Sequence, residues 1–142
     1  MKIDPIFYED YLKNKFENIN IIFLYGTNIG LVDLTYDKTL KILEIDINDP
    51  FSVSKIDGNE FKDNPSILHD NINTLSVFSE RRFILLDLMH ISINKSLEDI
   101  ILETFKIKNN SYLLIIKASN LKINSFIKHF QNIDNALLVP CY

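Results

Sequence analysis

Apolar positions along this chain follow two patterns that alternate. Dense, nearly continuous runs lie at residues 21–25, 83–86 and 112–116, reading Ile-Ile-Phe-Leu-Tyr, Phe-Ile-Leu-Leu and Tyr-Leu-Leu-Ile-Ile. They are rich in β-branched and aromatic side chains and lack the in–out alternation of a half-exposed strand. Strands buried on both faces of a parallel sheet read this way. Two weaker runs, at residues 51–56 and 136–139, bring the expected sheet to about five strands.

Between these runs the apolar residues recur at helical spacing. Tyr8, Leu12 and Phe16 follow Pro5, a residue suited to the first turn of a helix. Leu31, Leu34, Tyr36, Leu40 and Leu43 form a broad stripe. Pro65 opens a segment with Leu68, Ile72 and Leu75 on one face. Ser96-Leu97-Glu98-Asp99 has the outline of a capping box, with Asp at its third position, ahead of Ile100, Ile101 and Phe105. Phe126, Phe130 and Ile133 mark a last helix, with Asn124 or Ser125 as its cap. A helix, a strand and then repeated helix–strand pairs imply a parallel α/β sheet joined by right-handed crossovers.

Composition adds limits to this picture. A length of 142 residues fits one domain, and 46% hydrophobic residues supply a core. The 15 basic and 19 acidic residues give a net charge of −4, the wrong sign for a strong grip on many phosphates. Direct, strong nucleic-acid binding by this chain is therefore not expected. Cys141 is the single cysteine, so no internal disulfide and no cysteine-based zinc site is expected, and the cytoplasm is the default compartment. No run approaches the roughly 18 apolar residues of a membrane span, and residues 1–10 show no signal-peptide pattern. The usage of 23 Ile, 16 Asn and 13 Lys against two Ala and two Arg follows A/T-rich codons, so motifs are expected to look eroded.

Candidate chemistry starts after the first strand, at Tyr25-Gly26-Thr27-Asn28-Ile29-Gly30-Leu31. A parallel α/β sheet places a phosphate loop here. A working P-loop has four residues between its glycines, followed by Lys and Ser/Thr. Only three separate Gly26 from Gly30, and Leu31-Val32 stand where the lysine and hydroxyl belong. The loop of Gly26, Thr27, Asn28 and Gly30 is read as degenerate and non-functional: Gly26 makes a tight turn and Asn28 caps the helix. The strand ending at Asp87 outlines a Walker-B motif, but Leu88 follows where a catalytic acid would stand. Asp87 and Lys117 at strand ends suggest a phospho-receiver, which the absence of acids after the first strand rejects. His69, His90 and His129 are far apart and show no metal-ligand spacing, and no nucleophile elbow is present. No catalytic residue, metal or cofactor is expected.

The informative segment is Thr74-Leu75-Ser76-Val77-Phe78-Ser79-Glu80-Arg81-Arg82. Three apolar residues, Leu75, Val77 and Phe78, stand in a connection that belongs at the surface. In one reading Leu75 finishes the buried stripe of the helix, while Val77 and Phe78 tuck under the sheet edge. The other presents them as a short apolar wedge for a partner's pocket. Arg81 and Arg82, the only arginines, either rim such an interface or solvate the start of a strand.

At this segment the sequence resembles the delta subunit of the bacterial DNA polymerase III clamp loader. The resemblance covers nearly the whole chain. It rests on Phe23-Leu24-Tyr25-Gly26 with Gly30-Leu31-Val32, on Asp49-Pro50-Phe51, on Ile56-Asp57-Gly58, on Leu75-Ser76-Val77-Phe78 with Arg81-Arg82, and on Val139-Pro140-Cys141-Tyr142. It implies the N-terminal domain of delta: an AAA+-like, three-layer RecA-like parallel sheet of about five strands with flanking helices. The family's phosphate loop is degenerate, so no ATP hydrolysis is implied, although the whole holoenzyme is a DNA-directed nucleotidyltransferase serving DNA replication. The implied partner is the sliding clamp (beta), whose ring opening the family favours through a hydrophobic wedge. The matching positions are Thr74, Leu75, Ser76, Val77 and Phe78, with Val77 where Leu is commoner. Full-length members add lid and collar domains and join other clamp-loader subunits. The end of the chain directly after a strand suggests a domain edge, with lid and collar lying outside residues 1–142. Two alternatives remain: a P-loop nucleotide-binding enzyme with an eroded loop, and a scaffold domain of another assembly.

Overall fold

The computed structural model describes residues 1–15, 18–74, 81–107, 111–119 and 125–142. In chain order the elements are α1 (Pro5–Lys15), β1 (Ile21–Tyr25), α2 (Ile29–Ile42), β2 (Val53–Asp57), α3 (Gly58–Asp63) and α4 (Ser66–Asn73). They continue with β3 (Arg82–Leu88), α5 (Lys95–Thr104), β4 (Tyr112–Ala118), α6 (Ser125–Gln131) and β5 (Ala136–Pro140). Every pairing between strands is parallel, and the five-stranded sheet has the order β2-β3-β4-β1-β5.

The sheet is the middle of three layers. Ile21, Phe23 and Tyr25 point to one face with Leu114 and Ile116, where Phe61, Leu68, Ile101, Phe126 and Phe130 from α3, α4, α5 and α6 cover them. Ile22 and Leu24 point to the other face with Leu113, Ile115 and Val139, beneath Tyr8 and Leu12 of α1 and Val32 of α2. Both faces of β1 and β4 are therefore dry, which is why their sequences are apolar at successive positions. Residues 1–3 run along the outer edge of β5: Ile3 N–H donates to Leu138 O at 2.8 Å and Leu138 N–H to Met1 O at 2.7 Å.

Several expectations shift. Leu34 of the α2 stripe is 52% exposed, and the buried residues of that helix are Val32, Thr35 and Thr39. Two threonines can face the core because each hydroxyl donates to the carbonyl four residues back, Thr35 to Leu31 at 2.7 Å and Thr39 to Thr35 at 2.8 Å. Helix α5 is capped by Asn94, whose Oδ1 accepts from Leu97 N–H at 2.9 Å, and not by Ser96. Strand β2 starts at Val53; Phe51 is exposed in the turn before it, its N–H held by Asp49 Oδ1 at 3.0 Å. Helix α3 has no counterpart in the sequence reading. Asp57 caps it, accepting from Asn59 N–H at 3.1 Å, and Phe61 is its buried anchor. Phe16, Leu75 and Asn124 lie outside the described residues.

Candidate functional site

The sequence candidates fall at opposite edges of the sheet. The loop after β1, Asp87 and Lys117 lie at its carboxyl edge. Thr74, Arg81 and Arg82 lie at its amino edge, where α4 ends and β3 begins. The seven residues of β3 separate the two places, roughly 20 Å at strand rise.

At the carboxyl edge, α2 leaves β1 towards one face while α6 follows β4 on the other, so the loop 26–30 stands where such sheets receive ligands. Its geometry is closed by its own chain. Gly26 has φ +147°, and a Cβ there would lie 1.9 Å from the main-chain oxygen of Cys141. Gly26 N–H donates to Ala118 O at 3.2 Å, Asn28 N–H to Cys141 O at 3.1 Å and Val32 N–H to Asn28 O at 3.0 Å. Asn28 is the N-cap as expected, its Oδ1 accepting from Leu31 N–H at 3.1 Å. These amides, which a phosphate loop turns towards its ligand, are engaged within the protein. A Cβ on Gly30 would meet only Asn28 Oδ1, at 3.7 Å, so no close backbone approach demands that glycine.

The acid at the end of β3 is likewise engaged. Asp87 Oδ1 accepts from Met89 N–H at 2.9 Å, and Oδ2 lies 3.9 Å from Lys117 Nζ. Lys117 is 18% exposed; it also reaches Asp33 Oδ1 at 3.4 Å and sits 4.4 Å from the centre of the Tyr36 ring. The cation thus bridges the sheet to α2 through two carboxylates and an aromatic face. Tyr36, Lys55, Asp57, Leu85, Asp87 and Lys117 line a cavity of about 220 Å³ there. Burial, together with Asp87 and Asp37, pushes the Tyr36 phenol up to about 12. Asp33 was not singled out in the sequence, and Tyr36 only as part of the α2 apolar stripe. The available signal was Lys117 itself, a charge ending an otherwise apolar buried strand.

At the amino edge, Thr74 closes α4: its N–H donates to Asn71 O at 3.4 Å and its hydroxyl to Asp70 O at 2.7 Å. Leu75, Ser76, Val77 and Phe78 lie outside the described residues. The chain is described again at Arg81. Its Nε donates to Tyr112 O at 3.2 Å and its Nη2 to Ile19 O. Arg82 opens β3, with its N–H donating to Ser111 O at 2.8 Å and its Nη2 to Ser54 Oγ. Beside them Asn20 donates to Tyr112 O at 3.1 Å, and Asn135 donates to Asn20 Oδ1 at 3.1 Å. Both asparagines are buried, and neither was singled out as more than codon bias.

Among the described residues no group of three or more His, Cys, Asp or Glu is placed to hold a metal, and no helix is long and apolar enough to cross a membrane.

No protein-family model and no curated protein matches the sequence. Solved structures do match. The DNA clamp loader delta protein of Bacillus subtilis superposes with a TM-score of 0.64 at 17% identity, covering 96% of this chain and 42% of that one. A DNA polymerase III gamma subunit-related protein of Thermotoga maritima has a TM-score of 0.60 at 11% identity, covering 97% and 45%. RIF2 of Saccharomyces cerevisiae has a TM-score of 0.56 at 14% identity, covering 94% and 54%. At these identities the likeness establishes the fold. The expected class, a three-layer RecA-like parallel sheet of five strands with flanking helices, is the fold observed. This chain spans about half the length of these structures, or less.

Proposed function

We propose that this chain is a non-catalytic domain of a clamp-loader-type protein and that it contacts a sliding clamp through Leu75, Val77 and Phe78, flanked by Thr74 and Ser76. The observation that carries this reading is the likeness to the clamp loader delta protein across 96% of the chain. The apolar wedge of the delta resemblance stands here between α4 and β3. In this reading residues 1–142 correspond to the AAA+-like N-terminal domain of delta, working in the cytoplasm during DNA replication. Lid and collar functions, and contacts with other clamp-loader subunits, belong to other parts of the full-length protein. The ring is favoured in its opened form by occupation of a pocket on the clamp.

The carboxyl edge supports a role without nucleotide chemistry. The Gly26 and Asn28 amides are bonded to Ala118 and Cys141, and Asp87 is held by Lys117 and Met89. The runner-up is a scaffold domain of another assembly, favoured by the third neighbour, which shares the fold under a different name. Pull-down of a purified bacterial sliding clamp separates the two: retention of the clamp is expected, and its absence at micromolar concentrations favours the scaffold.

A further inference from the structure

On the α2 side of the sheet, β1 presents Ile22 and Leu24, β5 presents Leu137 and Val139, and β4 presents Leu113 and Ile115. This apolar pattern breaks at one corner. The register sets Asp57 of β2 beside Asp87 of β3, and Asp87 beside Lys117 of β4. Two residues earlier on the same face, Lys55 of β2 stands beside Leu85 of β3. Four charges, two of each sign, therefore share one corner of a face that is otherwise dry. Helix α2 packs over β1 and β4, so the corner lies beside the helix, and Tyr36 walls it. The cavity of about 220 Å³ at the carboxyl edge is this corner, with buried Leu85 in its lining.

The fold uses only part of this charge. Asp57 and Asp87 each give Oδ1 to a backbone amide, of Asn59 at 3.1 Å and of Met89 at 2.9 Å. Their second oxygens keep acceptor capacity. Lys117 bonds to Asp33 at 3.4 Å, and its 3.9 Å approach to Asp87 Oδ2 is too long for a hydrogen bond. Lys55 is exposed and makes no ion pair among the described residues, although Asp57 is its neighbour on the same face. One ammonium and two carboxylate oxygens are left at the rim of an apolar hollow.

We propose that this cavity binds a small zwitterion of the amino-acid class, its ammonium between Asp57 and Asp87, its carboxylate on Lys55 and its apolar side chain over Leu85 against Tyr36. A cation alone would leave Lys55 unmatched, and an anion alone would face both carboxylates. The volume is below the roughly 300–1,000 Å³ of sites for drug-sized ligands, which limits the ligand to a small one. Its contacts are with exposed charges, so binding is weak and salt-sensitive. The site goes beyond the clamp-contact reading and does not depend on it.

Titration of the isotope-labelled chain with L-leucine and with L-phenylalanine, followed through amide chemical shifts, tests the assignment. At least one of them is expected to give saturable shifts centred on Lys55, Asp57, Asp87 and Lys117. The same ligand without its amino group, and the same ligand without its carboxyl group, should each bind at least about fivefold more weakly, as befits the loss of one exposed charge contact. Lys55→Met and Asp57→Asn should weaken binding by a similar factor with thermal midpoints unchanged, the asparagine still capping α3. Absence of saturable shifts with both amino acids overturns the inference. So does equal binding by the amine alone, which would make the corner a simple cation site, or unchanged affinity in both variants.

Discussion

The hydroxyls of Tyr8 and Thr39 meet at 2.6 Å in the layer between α1 and α2, both residues fully buried. Thr39 also donates to Thr35 O, so the Tyr8 hydroxyl is the donor of the pair. The two substitutions that break the bond are therefore unequal. Tyr8→Phe removes the donor and should cost about 1 kcal/mol. Thr39→Val leaves a buried phenol without a partner and should cost about 1–3 kcal/mol. The double variant should be less destabilised than the sum of the two, and denaturant unfolding of all four proteins checks this.

The two loop glycines should separate sharply. Gly26→Ala meets a positive φ and the Cys141 carbonyl at 1.9 Å, backbone that a side chain cannot displace cheaply. A loss of about 3 kcal/mol or more, or failure to fold, is expected. Gly30→Ala sits inside α2 with open space around it and should be neutral or stabilising by up to about 1 kcal/mol. Unfolding midpoints of the two variants give the comparison.

Nucleotide should find no site. With the Gly26, Asn28, Leu31 and Val32 amides engaged inside the protein, a phosphate would meet few free donors at this loop. Calorimetric titration with ATP and Mg²⁺ is expected to show no saturable heat. A saturable isotherm abolished by substitution at Asn28 would restore the nucleotide-binding alternative.

Alkaline pH should unfold the protein through its tyrosines. Burial raises Tyr25, Tyr36 and Tyr112 from 10.0 to about 12, and it raises Tyr8 further. A raised folded pKa means the native state holds the proton more tightly than the unfolded chain. The associated stability is fully present below pH 10 and is lost as pH climbs through the folded values near 12. Phenolate absorbance rising together with loss of the fold, and not ahead of it, is the expected titration.

The strands were legible in the sequence because a parallel sheet covered on both faces leaves no room for polar alternation. The same logic explains the errors. Of the α2 stripe only Leu34 faces outward, while Leu31, Tyr36, Leu40 and Leu43 pack against the core; what the stripe missed is that Thr35 and Thr39 satisfy their hydroxyls on the helix itself and behave as small core residues. Helix α3 escaped notice because it is one short segment with a single apolar anchor, Phe61, although Asp57 and Glu60 stand at capping spacing. Ser96 outlined a capping box, yet Asn94 makes the bond, two residues earlier. At the candidate site, Gly26 and Asn28 were readable from local chemistry. The Lys117–Asp33–Tyr36 cluster and the Arg81 anchor were not, because each joins residues that only the topology brings together.

Clamp contact through residues 74–78 is decided by the affinity of the wild-type chain and of Phe78→Ala for a purified bacterial sliding clamp. Full burial of Leu75, Val77 and Phe78 contributes about 5–9 kcal/mol before association costs of several kcal/mol. The wild type should therefore bind measurably. Phe78→Ala should lose about 2 kcal/mol, on the order of 30-fold in affinity, with its thermal midpoint unchanged. Equal binding by two well-folded proteins, or no binding by the wild type, would rule out clamp contact through this segment.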